Sequence, residues 1–404
     1  MSWPMIQIGQ FTHVVTKGTT PTKKQGFAES GINYIKAEAL NGDSSLDLSG
    51  GFYISEDVHQ SLKRSILEDG DVLLTIAGAN IGKCGIVEEH HLPANTNQAV
   101  GIMRVDQQQL APRFLYYWFK QPQTFRYIQG LNAQAAQPNI NLSMLRNIEV
   151  PVPSISEQQR IADVIFAYDD LIENNRRRIQ LLEQAARLLY KEWFVHLRFP
   201  GHEHTQIIDG VPQGWKKKTA FEVMDVLSGG TPKTTNPSYW NGDIPFFTPK
   251  DAIDFAYAHD TEKSITDAGL KNCNSNFYPK DTVFITARGT VGKINLAQRP
   301  MAMNQSCYAL VAHSPVSQQF LYFALVDGVE QFRSRAVGSV FDAIVRDTFK
   351  LIPFIVPDEK LITAFMERVF PMLAQMDNLS GQVRSLRKAR DLLLPKLMNG
   401  EVAV

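Results

Sequence analysis

The sequence predicts an α+β chain in which one domain, mostly β with a few helices, is built twice. The copies are expected to be related by a pseudo-twofold axis and separated by two long antiparallel helices that form a coiled coil. Three observations lead there. The first is an internal repeat: Asp71-Val72-Leu73-Leu74-Thr75 through Ile81-Gly82-Lys83 returns as Asp281-Thr282-Val283-Phe284-Ile285 through Val291-Gly292-Lys293. Gly18-Thr19-Thr20-Pro21 returns as Gly229-Gly230-Thr231-Pro232, Trp3 as Trp215, and Leu182 to Leu189 as Leu386 to Leu393, at offsets between 204 and 212. Solenoid repeats run roughly 20–50 residues, so this period is one of whole domains. The second is a change of texture at Val150-Pro151-Val152-Pro153, beyond which no Pro or Gly occurs until Pro200. The third is a heptad-like alternation of apolar residues inside that stretch, which recurs 204 residues later.

Taken in order, residues 1–153 form the first domain. Asp71 to Ile76 and Ala99 to Val105 are strand candidates, apolar and flanked by turn residues, and Arg113 to Gln121 is a buried helix whose later counterpart is Ser317 to Leu325. Residues 154–199 are the first long helix, opened by Ser154 and Glu157 at capping-box spacing. Its seam is Ile161, Ile165, Tyr168, Ile172, Asn175, Ile179, Leu182, Ala186, Leu189 and Trp193, alternating four and three as in a coiled coil. Such a seam needs a partner helix. Asn175, its one polar member, either sets register or faces solvent where the seam loosens. Residues 200–356 repeat the first domain, and 357–404 supply the second long helix. There Phe365, Val369, Met372, Met376, Leu379, Val383, Leu386, Arg390, Leu393 and Leu397 continue the pattern. Pro371, Gly381 and Pro395 predict a kink or a late start in that copy.

Composition excludes several classes. Hydrophobic residues make up 44% and charged residues 20% of 404, so each half can bury a core, and 41 basic residues balance 41 acidic ones. Zero net charge leaves nucleic-acid binding open, since clustering on one face is what matters. The three cysteines, Cys84, Cys273 and Cys307, give no disulfide framework and no zinc spacing, and they fit a reducing cytoplasm. No secretory leader and no run approaching about 18 apolar residues is visible, so the expectation is a soluble, cytoplasmic chain with no membrane association.

Catalytic motifs are missing. Gly78 to Lys83 and Gly289 to Lys293 have too few residues between their glycines for a phosphate-binding loop, and Cys84 or Ile294 follows the lysine where Ser or Thr is needed. Asn236-Pro237-Ser238-Tyr239 is one residue from the element that amino-methyltransferases place against a target base, but without a cofactor loop it reads as a surface turn. His90-His91 and His202-Glu203-His204 read as solvated turns, and no metal ligand set is assigned. What remains is a set of polar, Gly-punctuated loops at matching places with different contents. In the first half these are Lys17 to Lys24, Gly78 to Lys83 and Asn95 to Gln98; in the second, Ser228 to Thr235, Arg288 to Lys293 and Met303 to Ser306. Lys, Thr and backbone N–H groups suit phosphate, and Asn, Gln and Arg suit base edges. Ordinary hydrophilic hairpin loops are the bland alternative; their recurrence with changed letters favours a reader of two different DNA words. Gly78-Ala79-Asn80 is matched on this reading with Arg288-Gly289-Thr290. The candidates are Thr19, Thr20, Lys23, Lys24, Asn80, Lys83, Asn97 and Gln98, then Thr231, Lys233, Thr234, Lys250, Arg288, Thr290, Lys293, Asn304 and Gln305.

Over essentially its whole length the chain resembles the specificity (S) subunits of type I restriction-modification systems. The resemblance rests on Pro151-Val152-Pro153-Ser154-Ile155-Ser156-Glu157-Gln158-Gln159-Arg160-Ile161, on Leu189-Tyr190-Lys191-Glu192-Trp193-Phe194-Val195 with Arg198-Phe199-Pro200-Gly201-His202-Glu203, and on Tyr239-Trp240-Asn241-Gly242-Asp243-Ile244-Pro245 and Thr248-Pro249-Lys250-Asp251. Pro357-Asp358-Glu359-Lys360 departs from the first helix's Ser-Glu-Gln-Gln-Arg run. The resemblance implies two target-recognition domains, each reading one half of a bipartite site in double-stranded DNA, with the helices setting the gap. It implies two methyltransferase (M) subunits docked on the helices and restriction (R) subunits in the full complex. It implies no catalysis by this chain, with S-adenosylmethionine, ATP and Mg held by the partners. An adaptor that joins two proteins without touching DNA, and a lone methyltransferase, are the alternatives from other classes.

Overall fold

The computed structural model describes residues 3–40, 46–131, 139–335 and 344–404. They fall into two compact units, Met1–Glu173 with Arg384–Val404, and Asn174–Val383. In the first unit the strands are β1 (Met5–Gln7), β2 (Thr12–Lys17), β3 (Ile32–Ile35), β4 (Tyr53–Ile54), β5 (Val72–Thr75), β6 (Cys84–Ile86), β7 (Ala94–Thr96), β8 (Val100–Val105) and β9 (Glu149–Pro151). The helices are α1 (Glu56–Ser61), α2 (Pro112–Lys120), α3 (Pro122–Gly130), α4 (Leu142–Arg146) and the start of α5 (Ile155–Tyr190). The central sheet has the order β2-β8-β5-β6 and is antiparallel throughout. A smaller sheet, β4-β3-β7, pairs β3 with β7 in parallel, and β1 pairs with β9.

The second unit repeats this plan. It contains β10 (Ile207–Ile208), β11 (Val211–Pro212), β12 (Lys216–Thr219), β13 (Met224–Ser228), β14 (Trp240–Phe247), β15 (Tyr257–Ala258), β16 (Lys263–Ile265), β17 (Val283–Thr286), β18 (Ile294–Ala297), β19 (Ala302–Met303), β20 (Cys307–Ala312) and β21 (Pro353–Val356). Its helices are α6 (Asp267–Lys271), α7 (Gln318–Arg335) and most of α8 (Glu359–Met398). The central sheet is β13-β20-β17-β18 with β15 added at the edge, the small sheet is β16-β14-β19, and β12 pairs with β21. Both copies pack a helix against the central sheet. Phe114, Leu115, Tyr116, Tyr117, Trp118 and Phe119 are all buried on α2, which makes it a core helix rather than an amphipathic one. Pro122 ends that run and starts α3, whereas α7 has no proline at the matching point and continues for 18 residues.

Each long helix contributes one part to each unit. In the first unit Ile161, Ala162 and Ile165 of α5 share a core with Leu394, Leu397 and Met398 of α8 and with α2. Asp169 accepts from the Tyr117 hydroxyl at 3.0 Å and from Arg390. In the second unit Asn175 meets Gln382 and Tyr190 packs on Phe365 with ring centroids 5.9 Å apart, so the two helices run antiparallel there. Buried Glu183 accepts from the Tyr322 hydroxyl at 2.6 Å, from Arg187 at 2.7 Å and from the Ala256 N–H at 2.9 Å, tying α5 to α7 and to the sheet. The seam residues Ile161, Ile165, Ile172, Ile179, Phe365, Val369, Met376, Leu379 and Val383 are buried, and Tyr168, Leu182, Leu189, Leu386 and Leu393 are half-buried. They bury against sheet and core helices as well as against one another. Leu373 is buried ahead of its neighbour Met372, because a stripe facing two surfaces is wider than a strict seam.

Three expectations about these helices are settled or revised. Asn175 is 6% exposed and donates to the Gln382 side-chain oxygen at 3.2 Å, so it sits on the seam with a polar partner. α8 shows neither a late start nor an interruption, despite Pro371, Gly381 and Pro395. Pro371 lies on the exposed face, where the carbonyl it leaves without an N–H partner can meet water, while Val369, Leu373 and Met376 are held in the core. At the start of α5 the Glu157 N–H donates to Ser154 Oγ at 3.3 Å; α8 uses Asp358, whose carboxylate accepts from the Lys360 N–H at 2.8 Å.

Candidate nucleic-acid interface

The register of the central sheet puts the three loops of each half side by side. Lys17, the last residue of β2, pairs with Gly101 near the start of β8; Thr75, the last of β5, pairs with Val100; and Leu74 pairs with Cys84 at the start of β6. Loops 17–24, 78–83 and 95–98 therefore leave the same end of the sheet. In the second unit Ser228 pairs with Tyr308, Thr286 with Cys307 and Ile285 with Ile294, which brings loops 228–235, 288–293 and 303–306 together at the same end.

Backbone contacts lock the cluster. The Thr19 N–H donates to Thr96 O at 3.0 Å and the Gly230 N–H to Met303 O at 3.1 Å. A Cβ on Gly18 would stand 2.2 Å from the carbonyl oxygens of Thr96 and Asn97, and one on Gly229 2.2 Å from that of Asn304. Glycine is required because two loop backbones touch there. The middle loops close identically: the Gly82 N–H donates to Thr75 O and the Thr75 N–H to Lys83 O, as Gly292 does to Thr286 and Thr286 to Lys293. Gly82 and Gly292 carry φ of 90° and 78°, which turn the chain back at that point.

This closure corrects the matching read from sequence. Val72 and Val283 occupy equivalent places, as do Thr75 and Thr286, so the strands are offset by one residue from the Asp71–Asp281 alignment. Both strands are buried on both faces, so the offset is shown by their ladder pairing with β8 and β20 and not by the apolar pattern. Gly78 then lies opposite Gly289, Ala77 opposite Arg288 and Ala79 opposite Thr290. Asn80 falls within the one-residue difference between the loops, which absorbs the slip.

Within the first cluster Thr20, Lys23, Lys24 and Gln98 are exposed, and Thr19, Asn80, Lys83 and Asn97 half-buried. Arg64 donates to Thr19 Oγ1 at 3.2 Å, and the buried Tyr34 hydroxyl donates to Thr19 O at 2.9 Å. In the second, Thr231, Lys233, Thr234, Lys250, Arg288, Thr290 and Gln305 are exposed, with Lys293 and Asn304 half-buried. Thr231 donates to the Gln305 side chain, Thr290 Oγ1 to Pro249 O at 3.2 Å, and Lys293 pairs with Asp254 at 3.0 Å. Lys250 sits beside Glu262 at 3.7 Å on a turn pinned by Asp251, whose carboxylate accepts from Thr248 and from the Glu262 N–H. Arg64 was not legible in the sequence, because its segment lies outside the repeated loops. Asn95 proves to be scaffold: it is fully buried and bonded to His59, Ser65 and the Leu62 carbonyl.

The remaining chemistry-bearing residues are placed as follows. Asn236 to Tyr239 form a short surface turn in which Asn236 accepts from the Ser238 N–H and hydroxyl. His91 is not a solvated residue: it is 2% exposed, and its Nδ1 accepts from the Glu88 N–H at 2.9 Å while His90 stays outside. Glu88, His90 and His91 bring ligand atoms within 4.8 Å, but Glu88 also takes Arg113 at 3.1 Å, so these groups serve the turn. Burial pushes the Cys84 thiol up to about 12 and raises Cys307 as well, which leaves both unreactive. Among the described residues no helix is long and apolar enough to cross a membrane.

The duplicated plan is matched by known proteins. The model of the type I restriction modification DNA specificity domain matches residues 2–184 and again 212–377. The MjaIX specificity subunit of Methanocaldococcus jannaschii is 25% identical over 413 residues, spanning 100% of this chain and 94% of that one. The HindI specificity subunit of Haemophilus influenzae is 23% identical over 355 residues, spanning 72% and 77%. The crystal structure of the S subunit of a type I restriction-modification system from M. genitalium has the same fold, with a TM-score of 0.61 at 18% identity over 98% of this chain and 96% of that one. With one domain match in each half, the chain belongs to the family of type I restriction-modification DNA specificity subunits.

Proposed function

We propose that this chain reads DNA for a type I restriction-modification complex, each unit's loop cluster reading one half of a bipartite site. One observation carries the reading: the same three loops stand at the same end of the same sheet in both units, with different side chains on them. The antiparallel helices set the gap between half-sites and dock two methyltransferase subunits, with restriction subunits completing the assembly in the cytoplasm. The chain performs no chemistry itself; S-adenosylmethionine, ATP and Mg belong to its partners. Lys83, Lys233 and Lys293 are assigned to phosphates, and Asn80, Gln98, Arg288 and Gln305 to base edges. A protein-joining adaptor would leave the recurring loop clusters without a role.

Methylated adenines mapped in DNA from cells carrying the complex should lie on opposite strands inside a split motif. Exchanging residues 78–83 and 95–98 for unrelated loops should change one half of that motif and leave the other intact. Loss of both halves, or a motif that never changes, would overturn modular reading.

A further inference from the structure

Beside each loop cluster the chain builds an aromatic–lysine patch that the repeated motifs do not announce. In the first unit Phe27 is 49% exposed and Phe52 42%, their ring centroids lie 6.0 Å apart, and Phe27 meets Tyr34 edge-on at 5.3 Å. The Lys36 ammonium lies 3.1 Å from the Phe52 centroid and 4.8 Å from that of Phe27. In the second unit Trp240 meets Phe246 at 5.6 Å with the rings at 90°, and the Lys263 ammonium lies 5.8 Å over Trp240.

These are the same place in the fold. Ile32 pairs with Ile54, and Ile244 with Ile265; Tyr34 and Phe246 each follow two residues later. Phe52 faces Tyr34 across the small sheet, and Lys263 faces Phe246 at the corresponding position. A lysine thus stands where the other unit has a ring, and Trp240, only one position removed from Phe27 in the repeat, packs on Phe246 as Phe27 packs on Tyr34. Ring and cation are present both times, although the lysine comes from a different position in each unit. Both patches are also fastened to the reading loops: the Tyr34 hydroxyl donates to Thr19 O, and Trp240 Nε1 donates to Lys233 O at 3.3 Å.

On the reading of the chain as a DNA-binding subunit, we infer that these patches are a sequence-independent grip on the duplex backbone. The outer ring, exposed Phe27 in the first unit and half-buried Trp240 in the second, takes the apolar face of a deoxyribose, and the lysine, held over a ring rather than swinging free, takes the adjoining phosphate. Continuity with the loops places a duplex that lies in the cluster against the patch. The pairing of ring and cation matches the alternation of sugar and phosphate, whereas a protein-docking surface would be expected to be apolar at its centre.

The test uses the full chain assembled with its modification subunits and a pool of randomised duplexes, with the bound fraction sequenced and the affinity measured against salt. Phe27→Ala, Lys36→Met and Lys263→Met alter side chains at the surface or rim. Each should weaken binding about fivefold across all sequences with both half-motifs unchanged, and the two lysine variants should flatten the salt slope by about one unit. Unchanged affinity and slope would overturn the inference. So would an altered half-motif, which would make these residues base readers, or loss of the modification subunits, which would make the patch a protein interface. If the unaltered complex retains no duplex at any salt, the DNA reading itself falls and takes this inference with it.

Discussion

The loop clusters of the two units share a backbone frame and differ in where their polar side chains are satisfied. In the second unit Thr231 is bonded to Gln305, Thr290 to Pro249, and Lys293 to Asp254. In the first, Thr19 is met by Arg64, and the side-chain oxygen of Asn97 has no hydrogen-bond partner among the described residues. A ligand entering the second cluster must exchange internal bonds for external ones; in the first it meets a buried acceptor already lacking one. The frame can stay constant because it is made of N–H and C=O groups, so side chains on top of it are free to diverge. The two clusters are therefore expected to respond alike to damage to the frame and differently to damage to the side chains.

The largest effect is expected from the frame. Gly18→Ala puts a carbon 2.2 Å from two carbonyl oxygens and forces the loops apart, costing about 3 kcal/mol and abolishing reading by the first unit only. Gly229→Ala should do the same to the second. Thermal unfolding together with motif mapping checks both, and a variant that keeps its half-motif would break the idea of a shared rigid frame.

A smaller difference concerns pH. Burial, aided by neighbouring His90 and opposed by Glu88, lowers His91 to about 4 from its ordinary 6.5. The connection between β18 and β19 contains no histidine. Because the unfolded chain binds the proton more tightly, it takes up more protons between pH 6.5 and about 4. Stability of the first unit should therefore fall as pH drops through that window, by at most about 3 kcal/mol, and level off below it. His91→Gln should flatten that slope in a pH series of unfolding midpoints, and an unchanged slope would assign it to other groups.

The smallest effect sharpens the side-chain contrast. Gln305→Ala removes the partner of Thr231 without touching the backbone, so stability should change by no more than about 1 kcal/mol while preference relaxes at one base. The corresponding Gln98→Ala, with no side-chain hydrogen bond among the described residues to lose, should relax preference with no change in the unfolding midpoint. Equal stability losses in the two variants would erase the distinction.

Much of the architecture was open to reading from the chain. The repeat, the two long helices and the loops beginning Gly18-Thr19 and Gly229-Gly230 follow from residue order, because hydrophobic period and turn residues are local properties. The expectation of a late start and of an interruption at Pro395 misled, since α8 begins at Glu359 and runs on to Met398 with its apolar face held in the core. The matching of Asp71 with Asp281 misled because identical letters one residue apart hid the true offset, which the ladder pairing of the strands reveals.

The sequence by itself determined that one domain occurs twice, that each copy ends in a long helix, and that polar loops recur with altered contents. Only the tertiary structure decided that three loops distant in sequence meet at one sheet end, that Asn175 finds Gln382, that Arg64 reaches Thr19, and that lysines from different positions complete an aromatic patch beside each cluster. The reason is physical: periodicity is written along the backbone, whereas a site is made by strand register and close packing, which bring together residues whose spacing in the chain carries no trace of their meeting.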